Sequence, residues 1–262
     1  MKDIAVIIQS RDRVEEFINT VNMLYITCYD QKNFDIIGVV DDDQIQLYSQ
    51  VKNIYPDIIW LHPKHTPGSW VNLIKIQHDF VKNNDYYFIW AVCDDFFDVS
   101  KNWDFSIITQ KNKYPDDLFT IHSSSKKDLL AEEVRKNAYI CNGWNNLDKI
   151  GFGIYYNYCE QLPVSTKKWI EFMSPIILNP KFCTQHELIT ASLIMLLKYH
   201  YSINRLVTCD EFYWGSLVVQ GGSSICNRES NYLDLVKNKY EELIPIIEKM
   251  YNEISKINKI NI

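Results

Sequence analysis

The residues of this 262-residue chain best suited to chemistry are carboxylates that follow apolar runs. Cys93-Asp94-Asp95-Phe96 comes directly after residues 86–92 (Tyr-Tyr-Phe-Ile-Trp-Ala-Val), a run apolar enough to be a buried strand. Ligands of open α/β sheets sit outside the carboxyl ends of the strands. Two adjacent carboxylates there repel one another unless a cation or a hydrogen-bond network compensates. A hard divalent ion is the natural partner, since Mg2+ typically combines one or two carboxylates with substrate phosphates. The competing reading is a loop in which Asp95 and Asp98 cap the next helix. Asp41-Asp42-Asp43 closes an earlier apolar run in the same way. An acidic residue at the end of a second strand often accepts from a ribose or base. The alternative is a solvated turn that caps a helix over 44–51.

The other candidates are less concentrated. Arg11 and Arg13, just past the first apolar run, and Lys75 are cations for a phosphate or base. Gly221-Gly222-Ser223-Ser224, followed by Arg228, suits either a loop that closes over a substrate or a plain surface loop. His62-x-x-His65 has no second ligand pair nearby, so zinc is not expected. Walker and Gly-x-Ser-x-Gly motifs are absent, and the first turn has no Gly-x-Gly-x-x-Gly. The last absence weighs against a dinucleotide-dependent dehydrogenase.

The elements that must position these groups follow from periodicity. Residues 2–9, 34–40, 58–61, 86–92 and 118–122 read as short buried strands. Between them, Val14, Phe17, Ile18, Val21 and Leu24 repeat at helical spacing. Asp12 with Glu15 forms a capping-box pattern at that helix start. Ser69 or Asn72 opens a helix through Val81, with Leu73, Ile76 and Phe80 on one face. Strands alternating with helices predict βαβ units and a mostly parallel sheet. From 123 to 180 the pattern is irregular. A buried helix over 185–199, a mixed segment over 206–219 and an amphipathic tail helix interrupted at Pro245 follow.

Composition bounds the class. Hydrophobic residues at 47% and charged residues at 23% describe a globular chain, and 14% aromatics exclude general disorder. A net charge of −6 argues against nucleic acid as a partner, which usually selects a basic excess. The 7 cysteines are scattered with no Cys-x-x-Cys pair, which predicts reduced thiols and a cytoplasmic location. No signal peptide or membrane-spanning run is expected.

Ile4-Ala5-Val6-Ile7-Ile8-Gln9-Ser10-Arg11-Asp12-Arg13, then Ile36-Ile37-Gly38-Val39-Val40-Asp41-Asp42-Asp43, then 86–92 with Cys93-Asp94-Asp95-Phe96, resemble in their order a glycosyltransferase of the GT-A fold. The resemblance implies one α/β domain with a mostly parallel central sheet flanked by helices. A Rossmann-like nucleotide-binding half would span 1–115, an acceptor half 116–230 and a C-terminal helix 231–262. It implies that Gln9, Ser10, Arg11 and Arg13 hold the nucleotide, with Asp41 or Asp43 on base or ribose. Asn72 lies on a helix near the donor, and Asp94 near ribose or sugar. Asp95 would contact Mn2+ or Mg2+ against the diphosphate, and Arg228 would neutralise the leaving phosphate. Glu187, at a helix start in Thr184-Gln185-His186-Glu187, is similar in placement to the base of inverting members, with Asp148 and Glu160 as fallbacks. His186 would orient it or help hold the acceptor. Trp144, beside Asn142 and Asn145, is the candidate for stacking on a sugar, with Asn142 on its hydroxyls.

The chain departs from the family in two ways. Its motif is Asp94-Asp95-Phe96 rather than a strict Asp-x-Asp. Its last histidine, His200, lies inside an apolar helix pattern, where many members use a late His on the metal. The implied activity is inverting transfer from a nucleotide-diphosphate donor, UDP-linked first, to a hydroxyl of a glycan or other acceptor. A nucleotidyltransferase is the first alternative. It would usually carry a Gly-rich basic loop after the first strand, and residues 9–13 contain no glycine. A non-catalytic carbohydrate-binding or assembly protein is the second.

Overall fold

The computed structural model describes residues 2–66, 71–94, 96–123, 164–179, 205–209 and 214–216, with separate positions between 245 and 256. The strands are β1 (Ile4–Gln9), β2 (Phe34–Val39), β3 (Ile59–Leu61), β4 (Phe88–Cys93), β5 (Phe96–Val99), β6 (Thr120–Ser123), β7 (Val164–Thr166), β8 (Leu206–Cys209) and β9 (Trp214–Ser216). Seven of them form one sheet in the order β3-β2-β1-β4-β7-β6-β8. β1 runs parallel to both β2 and β4, with Ile4 opposite Phe34 and Phe88. β7 is antiparallel to both its neighbours, β4 and β6, while β8 returns parallel to β6. β5 and β9 form a separate antiparallel pair. The architecture is α/β with a mostly parallel sheet, as the alternating pattern predicts.

The helices are α1 (Val14–Thr27), α2 (Ser49–Ile54), α3 (Val71–Asn83), α4 (Trp103–Ile108) and α5 (Lys167–Ile177). They bury both faces of the first strands, which is why those runs are apolar at nearly every position, Gln9 and Asp35 excepted. Ile4, Val6 and Ile8 pack with Phe17, Val21 and Leu24 of α1 and with Trp103 and Ile107 of α4. Ala5 and Ile7 point the other way, into a cluster with Val81, Leu73, Ile76 and Phe80 of α3. The side-chain period of 2 divides β1 between two cores. On β2, Gly38 is required by close approach. A Cβ there would stand 2.7 Å from Cζ3 of Trp60 and 2.8 Å from its Cε3.

Two buried charged groups fasten the connections. Asp104, fully buried, accepts from the backbone N–H of Tyr29 at 2.6 Å and of Asp30 at 3.0 Å, and from the Asn33 amide at 2.8 Å. Asp116 pairs both carboxylate oxygens with the Arg205 guanidinium at 2.8 Å, and neither side chain is more than 5% exposed. Arg205 also lies over the Tyr114 ring at 4.8 Å.

Several sequence expectations are corrected. Asp12 does not cap α1. Its φ is 58°, the left-handed region, and Arg13 takes the cap position with no side-chain cap bond. The acidic pair after β4 does not lead into a helix. The chain turns straight into β5, and α4 starts at Trp103 behind Asn102. The 44–51 helix reduces to a 3-10 turn at Asp42–Gln44 and the short α2. The stretch read as irregular up to 180 contains β7 and α5. The 185–199 helix lies outside the described residues. No helix among the described residues is long and apolar enough to cross a membrane.

Candidate active site

β1, β2 and β4 end side by side, with Gln9 opposite Val39 and Cys93. The loops that leave these three ends carry the polar groups. Ser10, the first residue past β1, is anchored by its N–H on the Val39 carbonyl at 3.1 Å. Its hydroxyl donates to Asp94 Oδ2 at 2.5 Å and stands 2.6 Å from the Tyr48 hydroxyl. Arg13 Nη1 meets the other oxygen, Asp94 Oδ1, at 2.9 Å. The Asp94 side chain is only 5% exposed, whereas Arg13 is 42% exposed. Thr20 of α1 donates to the Asp94 carbonyl at 3.0 Å, fixing the backbone of the turn. Both Asp94 oxygens are thus engaged by the loop after β1, and Arg13 supplies a compensating charge for the Asp94 carboxylate.

A second knot lies outward of the first. Arg11 grips Asp43 with two parallel bonds of 2.8 Å and reaches Asp41 Oδ2 at 2.8 Å. His65 Nδ1 stands 2.9 Å from the same Asp41 oxygen and 3.2 Å from Arg11 Nη1. The backbone N–H of His65 donates to Asp42 Oδ1 at 2.9 Å. The bidentate bond to Arg11 holds the Asp43 carboxyl below its ordinary range, and the same bond raises the Arg11 guanidinium. Asn72, at the start of α3, donates to the Lys64 carbonyl at 3.0 Å and to Thr66 Oγ1 at 2.9 Å, tying down the 64–66 loop.

Asp41, Asp43 and His65 bring their ligand atoms within 4.8 Å of one another, a spacing that could hold a metal ion. Arg11 already supplies the compensating charge at that point, so an ion would have to displace it. This cluster therefore suits a divalent ion poorly while Arg11 is bound. His62 is not part of it. Its Nδ1 faces the Val40 carbonyl at 3.0 Å and its Nε2 faces Lys52 at 3.1 Å.

Of the residues singled out from sequence, Gln9, Ser10, Arg11, Arg13, Asp41, Asp43 and Asp94 come together at one edge, with Asn72 at its margin. Asp95, Asn142, Trp144, His186, Glu187 and Arg228 lie outside the described residues, as do the fallbacks Asp148 and Glu160. Tyr48 and Thr20 belong to the assembly without any signal in the sequence, and His65, weighed there only for zinc, belongs to it as well. A tyrosine among Gln and Leu carries no local signal, because its partners are distant in sequence.

No protein-family model matches the sequence, and no curated protein matches it. Among solved structures, the chain is similar to S. aureus TarS 1-349, with a TM-score of 0.49 and 12% identity over 82% of this chain. It is similar to glucosyl-3-phosphoglycerate synthase from Mycobacterium tuberculosis, with a TM-score of 0.49 and 6% identity over 87% of this chain and 77% of that one. It is also similar to 4-diphosphocytidyl-2C-methyl-D-erythritol synthase from Anaerococcus prevotii, with a TM-score of 0.46 and 10% identity over 89% of this chain and 96% of that one. The chain spans 59% of the length of TarS 1-349. All three scores fall below 0.5, so the functional reading rests on the residues at the strand ends.

Proposed function

We propose that the chain is a GT-A-type glycosyltransferase, with its donor nucleotide bound at the carboxyl ends of β1, β2 and β4. The observation that carries this reading is the convergence of the Ser10–Arg13 loop, the 41–43 acidic turn and Asp94 along the carboxyl-end edge of the sheet, over its interior strands. That edge is where open α/β sheets take their ligands. The Arg11 and Arg13 side chains, each near 40% exposed, bring cations to this end of the sheet that could turn to a phosphate or base. Asp41 and Asp43, oriented by Arg11, are acceptors for ribose hydroxyls or base N–H groups. Asp94 organises the loop from beneath.

The donor is a nucleotide-diphosphate sugar, UDP-linked first, and the acceptor a hydroxyl of a glycan or similar molecule. Asp95 would hold Mn2+ or Mg2+, which supplies neutralising charge for a leaving diphosphate. Glu187 would take the proton of the attacking hydroxyl, with His186 and Asn142 on the acceptor and Trp144 stacked on a sugar face. The bond from that oxygen to the anomeric carbon forms as the bond to the diphosphate breaks, which inverts the centre. Arg228 would sit on the leaving phosphate.

Calorimetric titration of UDP, GDP and dTDP, each with Mn2+ and with EDTA, on wild type and Asp95→Ala tests the proposal. Binding of one nucleotide that needs both metal and Asp95 is the expected result. Metal-independent binding would keep a transferase but move the phosphate contacts to arginine or lysine. Failure of all three nucleotides to bind would refute the donor site.

A further inference from the structure

We infer that Tyr48 is a positioning residue of the donor site, the keystone of a closed hydrogen-bonded ring that makes the loop after β1 and the turn after β4 one rigid unit. The inference rests on the proposed donor site. The ring has four members, and its bond directions are fixed by their chemistry. Ser10 commits its one hydroxyl proton to Asp94 Oδ2 at 2.5 Å. The 2.6 Å contact between Ser10 Oγ and the Tyr48 hydroxyl must then be a donation from Tyr48. The Tyr48 oxygen accepts the backbone N–H of Arg13 at 3.2 Å. The Arg13 side chain closes the circuit on Asp94 Oδ1 at 2.9 Å.

Tyr48 reaches this ring from within the core cluster of β1 and α1. It is fully buried just before α2. Its ring meets Phe17 of α1 edge-on at 5.8 Å and tilts on Trp60 of β3 at 6.2 Å. Rigid aromatic packing therefore sets where the hydroxyl sits, and the hydroxyl sets Ser10 and the Arg13 backbone. Burial raises the phenol above its ordinary range, so it remains a donor at neutral pH. The links polarise and orient one another, so loss of one weakens the bonds that Ser10 and Arg13 make to the acidic turn.

The test uses the whole chain with Tyr48→Phe, Ser10→Ala, their double variant and Ser10→Thr. The probes are UDP, GDP and dTDP with Mn2+, read by calorimetry, and Arg13 amide exchange, read by NMR. Each single change is expected to weaken nucleotide binding about tenfold, the effect of one hydrogen bond of ordinary worth. The double variant should be no weaker than either single, and Ser10→Thr, which keeps the hydroxyl, should restore binding. Tyr48→Phe should also speed exchange of the Arg13 amide. Wild-type affinity in Tyr48→Phe, or single losses that multiply to about a hundredfold in the double variant, would overturn the ring. If Tyr48→Phe does not fold, Ser10→Ala against Ser10→Thr decides alone. A wild-type chain that binds none of the three nucleotides refutes the donor site. Arg13 exchange then decides the rigid unit by itself, and an unchanged rate in Tyr48→Phe overturns it.

Discussion

Adding one methyl group at Gly38 tests whether the third strand is seated as described. In Gly38→Ala the new carbon would lie 2.7 Å and 2.8 Å from two ring carbons of Trp60. Carbon atoms rest about 3.5–4.0 Å apart, so the overlap is roughly 0.8 Å or more. The indole cannot fold away as the end of a flexible chain would. It is stacked on Phe17 at 5.4 Å and parallel to His62 at 6.3 Å, with Lys52 over its face at 5.3 Å. The whole ring or the strand must move, and overpacking of this kind costs about 1–3 kcal/mol. For a domain of this size each kcal/mol lowers the melting temperature by roughly 2–4 °C. Calorimetric melting of Gly38→Ala should therefore fall by about 2–12 °C, and Trp60→Leu in the same chain should recover part of the loss. An unchanged melting temperature, or a loss that Trp60→Leu deepens, would refute the packing.

Three further outcomes follow from the charged groups. Asp43 has a folded-state carboxyl held below its ordinary value of 3.8 by Arg11, so the stability from this pair is fully present above that value and lost as pH falls beneath it. The melting temperatures of wild type and Arg11→Ala should differ slightly at pH 7 and converge below about pH 3.8. Asp104→Ala removes a fully buried carboxylate that accepts three N–H bonds, from Tyr29, Asp30 and Asn33, and should cost about 3 kcal/mol in urea unfolding. Asp116→Ala strands the buried Arg205 charge and should cost about 3–5 kcal/mol, while Asp116→Leu with Arg205→Met should regain most of it.

Much of the first half was legible because it obeys local rules. β1, β2 and β4 are buried on both faces, so their apolar runs stand out. Carboxylates at the ends of two of them, Asp41 to Asp43 and Asp94, marked the strand ends where the loop after β1 also converges. What was illegible depends on distance in sequence. Asp12 with Glu15 reads as a capping box, yet the left-handed backbone at Asp12 turns its N–H to the Gln44 side chain at 3.2 Å, and Arg13 becomes the cap. The Ser10–Asp94 bond spans 84 positions, and neither residue signals the other. Val164-Ser165-Thr166 is too short and polar to read as a strand, although all three residues are buried. Pro175 inside α5 hid that helix behind a residue that normally breaks one.

The antiparallel β7 has a consequence for how the chain is made. β1 to β4 lie within the first 93 residues and pair with one another, so their ladder can close while later residues are still being added at the ribosome. β7 pairs with β4 at Phe88 with Thr166 and Ile89 with Ser165, partners roughly 80 residues apart. Closing so long a loop costs chain entropy before any contact offsets it, which makes the step slow. The side of β4 that pairs with β7 therefore stays without its partner strand in the growing chain until residue 166 has been added.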